Sequence, residues 1–170
     1  MNLEDYIRDI KDFPKKGIVF KDITPLLANA QASKHCLKQL LGLINDKSIT
    51  KVVGVESRGF FFGTLLAHEL NAGFVPVRKK GKLPFDTISQ EYALEYGVDT
   101  LEIHKDAIVP GDKVLLHDDV LATGGTAKAV TQLIEKLGGE IVQCNFLMTL
   151  DFLNGREKLE GYDVSSVLRY

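Results

Sequence analysis

The stretch that most restricts the fold is residues 114–126. An apolar run, Val114-Leu-Leu-His117, ends in Asp118-Asp119, and Val-Leu-Ala122-Thr123-Gly124-Gly125-Thr126 follows. The run has the length and character of a buried strand. The two glycines break it, and Ala127, Val130, Leu133, Ile134 and Leu137 then recur on one face of a helix over 123–137. A buried strand feeding a helix through a tight turn needs neighbours of the same kind to cover it. The chain supplies them. Residues 51–55 read as a strand, 59–70 as a helix, 73–77 and 140–150 as strands, and 164–168 as a short last strand. Strands alternating with helices imply right-handed crossovers and a parallel, twisted sheet flanked by helices, an α/β fold. Such sheets bind ligands beyond the carboxyl ends of their strands. The residues just after 55, 77 and 117 are therefore the places to look.

Two regions depart from this rhythm. At the N-terminus, Leu3, Tyr6, Ile7 and Ile10 recur at helical spacing behind Asn2 as a cap, and Phe13-Pro14-Lys-Lys-Gly17 breaks the pattern. Ser33 is the expected cap of a second helix with Cys36, Leu37, Leu40, Leu41 and Ile44 along its stripe. Between 80 and 105, Gly81, Pro84 and Asp86 interrupt the order. Residues 89–96 and 100–104 then read as an antiparallel hairpin lying outside the parallel sheet, a mobile flap over a site.

At 170 residues the chain fits one domain. Its net charge of −2 argues against bulk electrostatic binding of nucleic acid or an anionic membrane. No apolar run approaches the roughly 18 residues that span a bilayer, and the acidic start Met-Asn-Leu-Glu-Asp-Tyr is unlike a signal peptide. Two isolated cysteines, Cys36 and Cys144, fit a reducing compartment. The expectation is a cytoplasmic protein. His35 and His68 have no partners at metal-ligand spacing.

The chemistry concentrates in short segments. Gly124 and Gly125 let a phosphate approach the backbone at a helix N-terminus, where unpaired N–H groups and the helix dipole favour an anion. Thr123 and Thr126 add hydroxyl donors. Asp118 and Asp119 are suited to accept hydrogen bonds from vicinal hydroxyls. Together they describe a sugar-phosphate site, without the lysine of a P-loop. Glu56-Ser57-Arg58-Gly59 is a second strand–turn–helix, able to form an anion nest with Arg58 as a bidentate donor; the plainer alternative pairs Arg58 with Glu56 at the surface. Arg78-Lys79-Lys80-Gly81-Lys82 places four cations in five residues after a strand. By composition alone, residues 13–25 are a loop with a buried plug, and Glu95 is a surface strand residue.

The acid pair with its Ala-Thr-Gly-Gly-Thr turn resembles the loop of the type I phosphoribosyltransferases, which bind 5-phosphoribosyl-1-pyrophosphate. Gly-Ile-Val-Phe-Lys-Asp-Ile-Thr-Pro, Glu-Ser-Arg-Gly-Phe, Arg-Lys-Lys-Gly-Lys-Leu-Pro, Tyr-Ala-Leu-Glu-Tyr-Gly and Gly155-Arg-Glu-Lys-Leu resemble the adenine-using branch, from about residue 3 to Leu168. The resemblance implies a single domain over 1–170 with a small N-terminal hood at about 1–30 and a flexible flap hairpin at about 80–105. Asp118, Asp119, Ala122, Thr123, Gly124, Gly125 and Thr126 would hold the phosphoribosyl group. Glu56, Ser57, Arg58, Gly59, Arg78, Lys79 and Lys82 would hold pyrophosphate. Val19, Phe20 and Lys21 would bind adenine, and Glu95 and Arg58 would be catalytic. Magnesium would be held through the substrate, with Asp118 and Asp119 in its outer sphere. A homodimer is implied as well. Transferases for xanthine, hypoxanthine or orotate, and a regulator that senses the phosphoribosyl donor without turning it over, are the alternatives. His117 stands where the family commonly has an apolar residue.

Overall fold

Two strands that are apolar on both faces set the frame. β3 (Lys51–Val55) and β7 (Lys113–Leu121) lie side by side, and Val52, Val53, Val114, Leu115 and Leu116 are fully buried. Such continuous runs belong to parallel strands covered on both sides. β4 (Gly73–Lys79) pairs with β3, and β8 (Glu140–Thr149) and β9 (Val164–Arg169) extend the sheet beyond β7, all parallel. In this computed structural model, residues 1–46, 48–93 and 97–170 are described. The chain forms two compact units, Met1–Gln39 and Leu40–Tyr170.

In the second unit, with β5 at Thr87–Ala93 and β6 at Val98–His104, the strand order is β5-β6-β4-β3-β7-β8-β9. α3 (Gly59–Glu69) follows β3, and α4 (Gly125–Lys136) follows β7. Ala127, Val130, Leu133 and Ile134 of α4 are buried, each larger side chain adding roughly 1.5–3 kcal/mol of burial. The hairpin expected outside the sheet is instead its edge. β5 (Thr87–Ala93) and β6 (Val98–His104) are antiparallel, and β6 joins β4 through Arg78↔Glu102 and Lys79↔Leu101. Leu101 and Ile103 explain the difference: both are buried in the main core and hold β6 against it. Residues 94–96 of the expected strand lie outside the described residues.

Two strands run further than their apolar cores suggest. β4 continues to Lys79, and β7 continues to Leu121, pairing Asp118 with Phe146 and Leu121 with Thr149. The acid pair is thus inside the strand.

The first unit departs most from expectation. Of the expected N-terminal helix only Leu3–Tyr6 is helical, as one 3-10 turn in which the Asn2 side chain accepts from the Glu4 amide. Two turns of apolar spacing are too few to sustain a helix on their own. Ile7 is extended, and β1 (Arg8–Lys11) pairs with β2 (Val19–Asp22), braced by Lys21–Asp9 at 2.7 Å. A short helix, α1 (Thr24–Ala28), follows with Pro25 in its first turn. α2 (Ala30–Gly42) starts earlier than Ser33. The side chain of Asn29 accepts from the amides of Gln31 and Ala32, so Asn29 is the cap.

Candidate active site

The crossovers leave the sheet in opposite directions at β3 and β7. β3 runs through α3 to β4 on one side, and β7 through α4 to β8 on the other. That reversal opens a crevice at the carboxyl ends of the two strands. Both loops singled out above lie there. Gly59 brings them together: a Cβ on it would lie 2.9 Å from Asp118 Oδ1 and 2.9 Å from the His117 carbonyl. Only a residue without a side chain lets the start of α3 sit against β7.

The acid pair is enclosed. Asp119 is 3% exposed, and its amide donates to Asp118 Oδ1 at 2.9 Å. Burial pushes the Asp118 carboxyl well above the usual carboxylate range, and the neighbouring Asp119 charge pushes the same way. Arg58 Nε meets Asp119 Oδ2 at 2.8 Å. Arg58 therefore engages the acid pair across the crevice, and the surface pairing with Glu56 is not what forms. A carboxyl raised on folding favours the native state at low pH, and that contribution is lost as pH rises through the raised value. Asp118→Asn should therefore raise the Tm of the protein by a few degrees near neutral pH and flatten its pH dependence. A thermal-shift series across pH checks this, and an unchanged or lowered Tm in the variant would count against a carboxyl held protonated by burial.

Glu56 collects the cations. Its carboxylate accepts from the Lys79 amide at 2.8 Å and from the Lys82 ammonium, and Arg78 Nε lies 3.4 Å away. Burial opposes its ionisation, but the bonds from Lys82, the Lys79 amide and Arg78 outweigh burial and lower the Glu56 carboxyl. The side chain of Glu56 is 8% exposed, those of Arg78 and Lys82 34% and 48%. The cations thus face outward from a buried carboxylate. Lys79 extends to Asp99 at 2.8 Å, and Asp99 also accepts from the Tyr92 hydroxyl at 3.3 Å. Asp99 drew no attention in the sequence, because its partners are brought together only by the β4–β6–β5 register. Ser57 is exposed, and the Glu56–Ser57 peptide is cis.

Gly124 shapes the phosphate loop. It takes φ 78° and leads directly into α4 at Gly125. Thr123 is exposed, Ala122, Gly125 and Thr126 are half-buried, and Gly124 is buried. From below the loop is closed by Gly155, where a Cβ would sit 2.1 Å from the Ala122 carbonyl and 2.9 Å from the Gly124 nitrogen. The sequence drew attention to the Gly155 segment only through its resemblance, with no hint that it backs this loop.

His117 is fully buried, its Nδ1 donates to Asn145 Oδ1 at 3.0 Å, and burial lowers its pKa to about 4. It stays neutral at physiological pH and adds no charge to the acids. Val19, Phe20 and Lys21 lie on β2 of the first unit, where Phe20 packs edge-to-face on Phe13 at 5.2 Å and Lys21 pairs with Asp9. Glu95 falls outside the described residues. Among the described residues no three His, Cys, Asp or Glu side chains gather as a metal cluster.

A switch-point crevice with an acid pair, a glycine loop at a helix N-terminus and gathered cations offers acceptors for hydroxyls and donors for anions in one place. A family model described as a phosphoribosyl transferase domain matches residues 20–168. The chain belongs to that family and has its type I fold. It is 66% identical to an adenine phosphoribosyltransferase of Flavobacterium johnsoniae over the whole of both chains. A crystal structure of adenine phosphoribosyltransferase from Rhodothermus marinus is 54% identical and superposes with a TM-score of 0.95, covering 99% of this chain and 96% of that one. The Giardia lamblia enzyme, solved with 9-deazaadenine, is 42% identical with a TM-score of 0.92, covering 100% and 98%.

Proposed function

We infer that the chain transfers the 5-phosphoribosyl group from phosphoribosyl pyrophosphate to N9 of adenine, giving AMP and pyrophosphate in purine salvage. The observation that carries this reading is the placement of the acid pair and the cation-gathering loop side by side at one switch point, in a chain 66% identical to an adenine phosphoribosyltransferase.

Asp118 and Asp119 accept from the ribose hydroxyls, while the amides of residues 122–126 and the hydroxyls of Thr123 and Thr126 hold the 5′-phosphate. Arg58, Arg78, Lys79 and Lys82, with the turn at Ser57 and Gly59, receive pyrophosphate. Glu56 acts there by aligning the cations. As the bond from the anomeric carbon to pyrophosphate breaks, charge grows on the departing oxygens, and donors already in place stabilise it. N9 of adenine bonds to the opposite face and gives up its proton with help from Glu95. Arg58 steadies both the acid pair and the leaving group. Magnesium fits this arrangement as a partner of the substrate: the carboxylates are adjacent and partly engaged by Arg58, which suits outer-sphere contact through water. When bound, the ion neutralises pyrophosphate charge.

Val19, Phe20 and Lys21, in the N-terminal hood, are assigned to adenine. Phe20 gives a ring to stack on, and β2 offers backbone groups to the purine edge. The flap around 80–105 excludes water, which otherwise competes as nucleophile. The chain works as one domain over 1–170.

A second copy of the chain is the proposed partner. α3 carries Phe61 and Leu65, 48% and 42% exposed and one turn apart, while Phe62 and Leu66 are buried. Two large apolar side chains exposed one turn apart offer a patch that a second copy would cover. A cytoplasmic location is supported by the two buried free thiols. No helix among the described residues is long and apolar enough to cross a membrane.

Pyrophosphate release measured against adenine, hypoxanthine, xanthine and orotate tests the function. Adenine should exceed the others by at least about 10²-fold, as expected when a base edge must satisfy buried polar groups. Preference for another base would reassign the substrate. Absence of turnover with every base, together with a shifted DNA or RNA band, would leave a donor-sensing regulator.

A further inference from the structure

The phosphate loop has no lysine of its own. The fold brings one from 33 residues downstream. Lys158 lies in the 3-10 segment Gly155–Leu159, and its Nζ is 3.9 Å from where a Cβ on Gly125 would stand. Gly125 is the first residue of α4, and in a helix the Cα–Cβ direction leans toward the N-terminus. The ammonium therefore lies beside the N-terminal end of α4, where the Ala93 carbonyl at 3.5 Å and the Tyr92 ring at 3.6 Å flank the same position.

Its position is fixed from both flanks. Gly155 is wedged under Ala122 and Gly124, Arg156 Nη1 donates to the Val164 carbonyl at 2.9 Å, and Leu159 is 1% exposed. Between these anchors Lys158 is exposed, and it forms no hydrogen bond or ion pair among the described residues. An exposed lysine on an anchored turn thus stands beside a helix N-terminus, whose first amides have no partner within the helix.

We propose that Lys158 is a further binding residue for the known reaction, supplying the positive charge for the 5′-phosphate that the glycine loop does not contain. The proposal rests on the transferase reading above. The lysine takes the electrostatic part that a P-loop lysine takes within its own loop, delivered here by a separate turn locked to the loop through Gly155. It recognises the phosphate as a point charge.

Calorimetric titration of AMP, adenosine and pyrophosphate tests this on the full chain and on Lys158→Gln and Lys158→Arg. Lys158→Gln should weaken AMP about tenfold, or ~1.4 kcal/mol, and should reduce the salt dependence of AMP binding. Lys158→Arg should stay within about threefold of the parent, as a retained charge requires. Adenosine, pyrophosphate and Tm should be unchanged in both, which a merely structural lysine would not produce. AMP binding by Lys158→Gln within twofold of the parent, or an equal loss for adenosine, would overturn the role of the lysine alone. A parent chain that binds no AMP would overturn the transferase reading and this one with it.

Discussion

Replacing Glu95 by glutamine should lower kcat by about 10²–10⁴-fold, the usual worth of a positioned proton-transfer group, while the KM for phosphoribosyl pyrophosphate stays near that of the parent. N9 of adenine must lose a proton as it bonds to the anomeric carbon, and a carboxylate is lost as an acceptor when it becomes an amide of nearly the same shape. β5 ends at Ala93, and along it Gln90 accepts from Lys136 at 2.7 Å and Tyr92 donates to Asp99. The substitution changes the chemistry of one side chain with little change in its size. The pH profile separates the roles, because the limb that reports the ionisation of Glu95 should vanish in the variant. Unchanged turnover would remove Glu95 from the mechanism.

Gly155→Ala should have the second largest effect, on the protein and the reaction together. Its Cβ would stand 2.1 Å from the Ala122 carbonyl, and that neighbour is backbone. Either the 3-10 turn or the phosphate loop must move. Overpacking of this kind costs roughly 1–3 kcal/mol, which at this length corresponds to a fall in Tm of about 2–12 °C. The KM for phosphoribosyl pyrophosphate should rise at least about tenfold, since a shift near 1 Å in a positioning loop is enough to cost that much. Gly42→Ala is the control: nothing lies within 4 Å of its added Cβ and its backbone is not strained, so both readings should stay at parent values. Equal effects of the two substitutions would show that Gly155 has no special relation to the loop.

The sheet was legible because its strands are of the kind that sequence reports well. Residues 51–55 and 113–117 are continuous apolar runs, and the 3.6-residue stripe of α4 is unbroken. The strand ends were less visible. Arg78, Lys79, Asp118 and Asp119 are charged and read as loop, yet they continue β4 and β7 because backbone pairing does not require apolar side chains. The first unit was misjudged where two turns of helical spacing met a β ladder, and where Asn29 outcompeted Ser33 as a cap. In the site, the residue types of the acid pair and the glycine turn announced their chemistry locally. Which anion pairs with which cation did not. Arg58 prefers Asp119 to the nearby Glu56, and Lys79 finds Asp99, only after strand register has placed them. The resemblance drew attention to Gly155, but its reason, a close approach of two backbones, exists only in three dimensions.

Glu56 has a kinetic consequence. Charges gathered around a resident carboxylate are never bare, so on the reading proposed above pyrophosphate would enter by exchanging partners and depart leaving the cations with one still in place. Ion exchange of this sort narrows the free-energy gap between loaded and empty states. It trades tightness for speed at the step, product escape, that so often limits turnover.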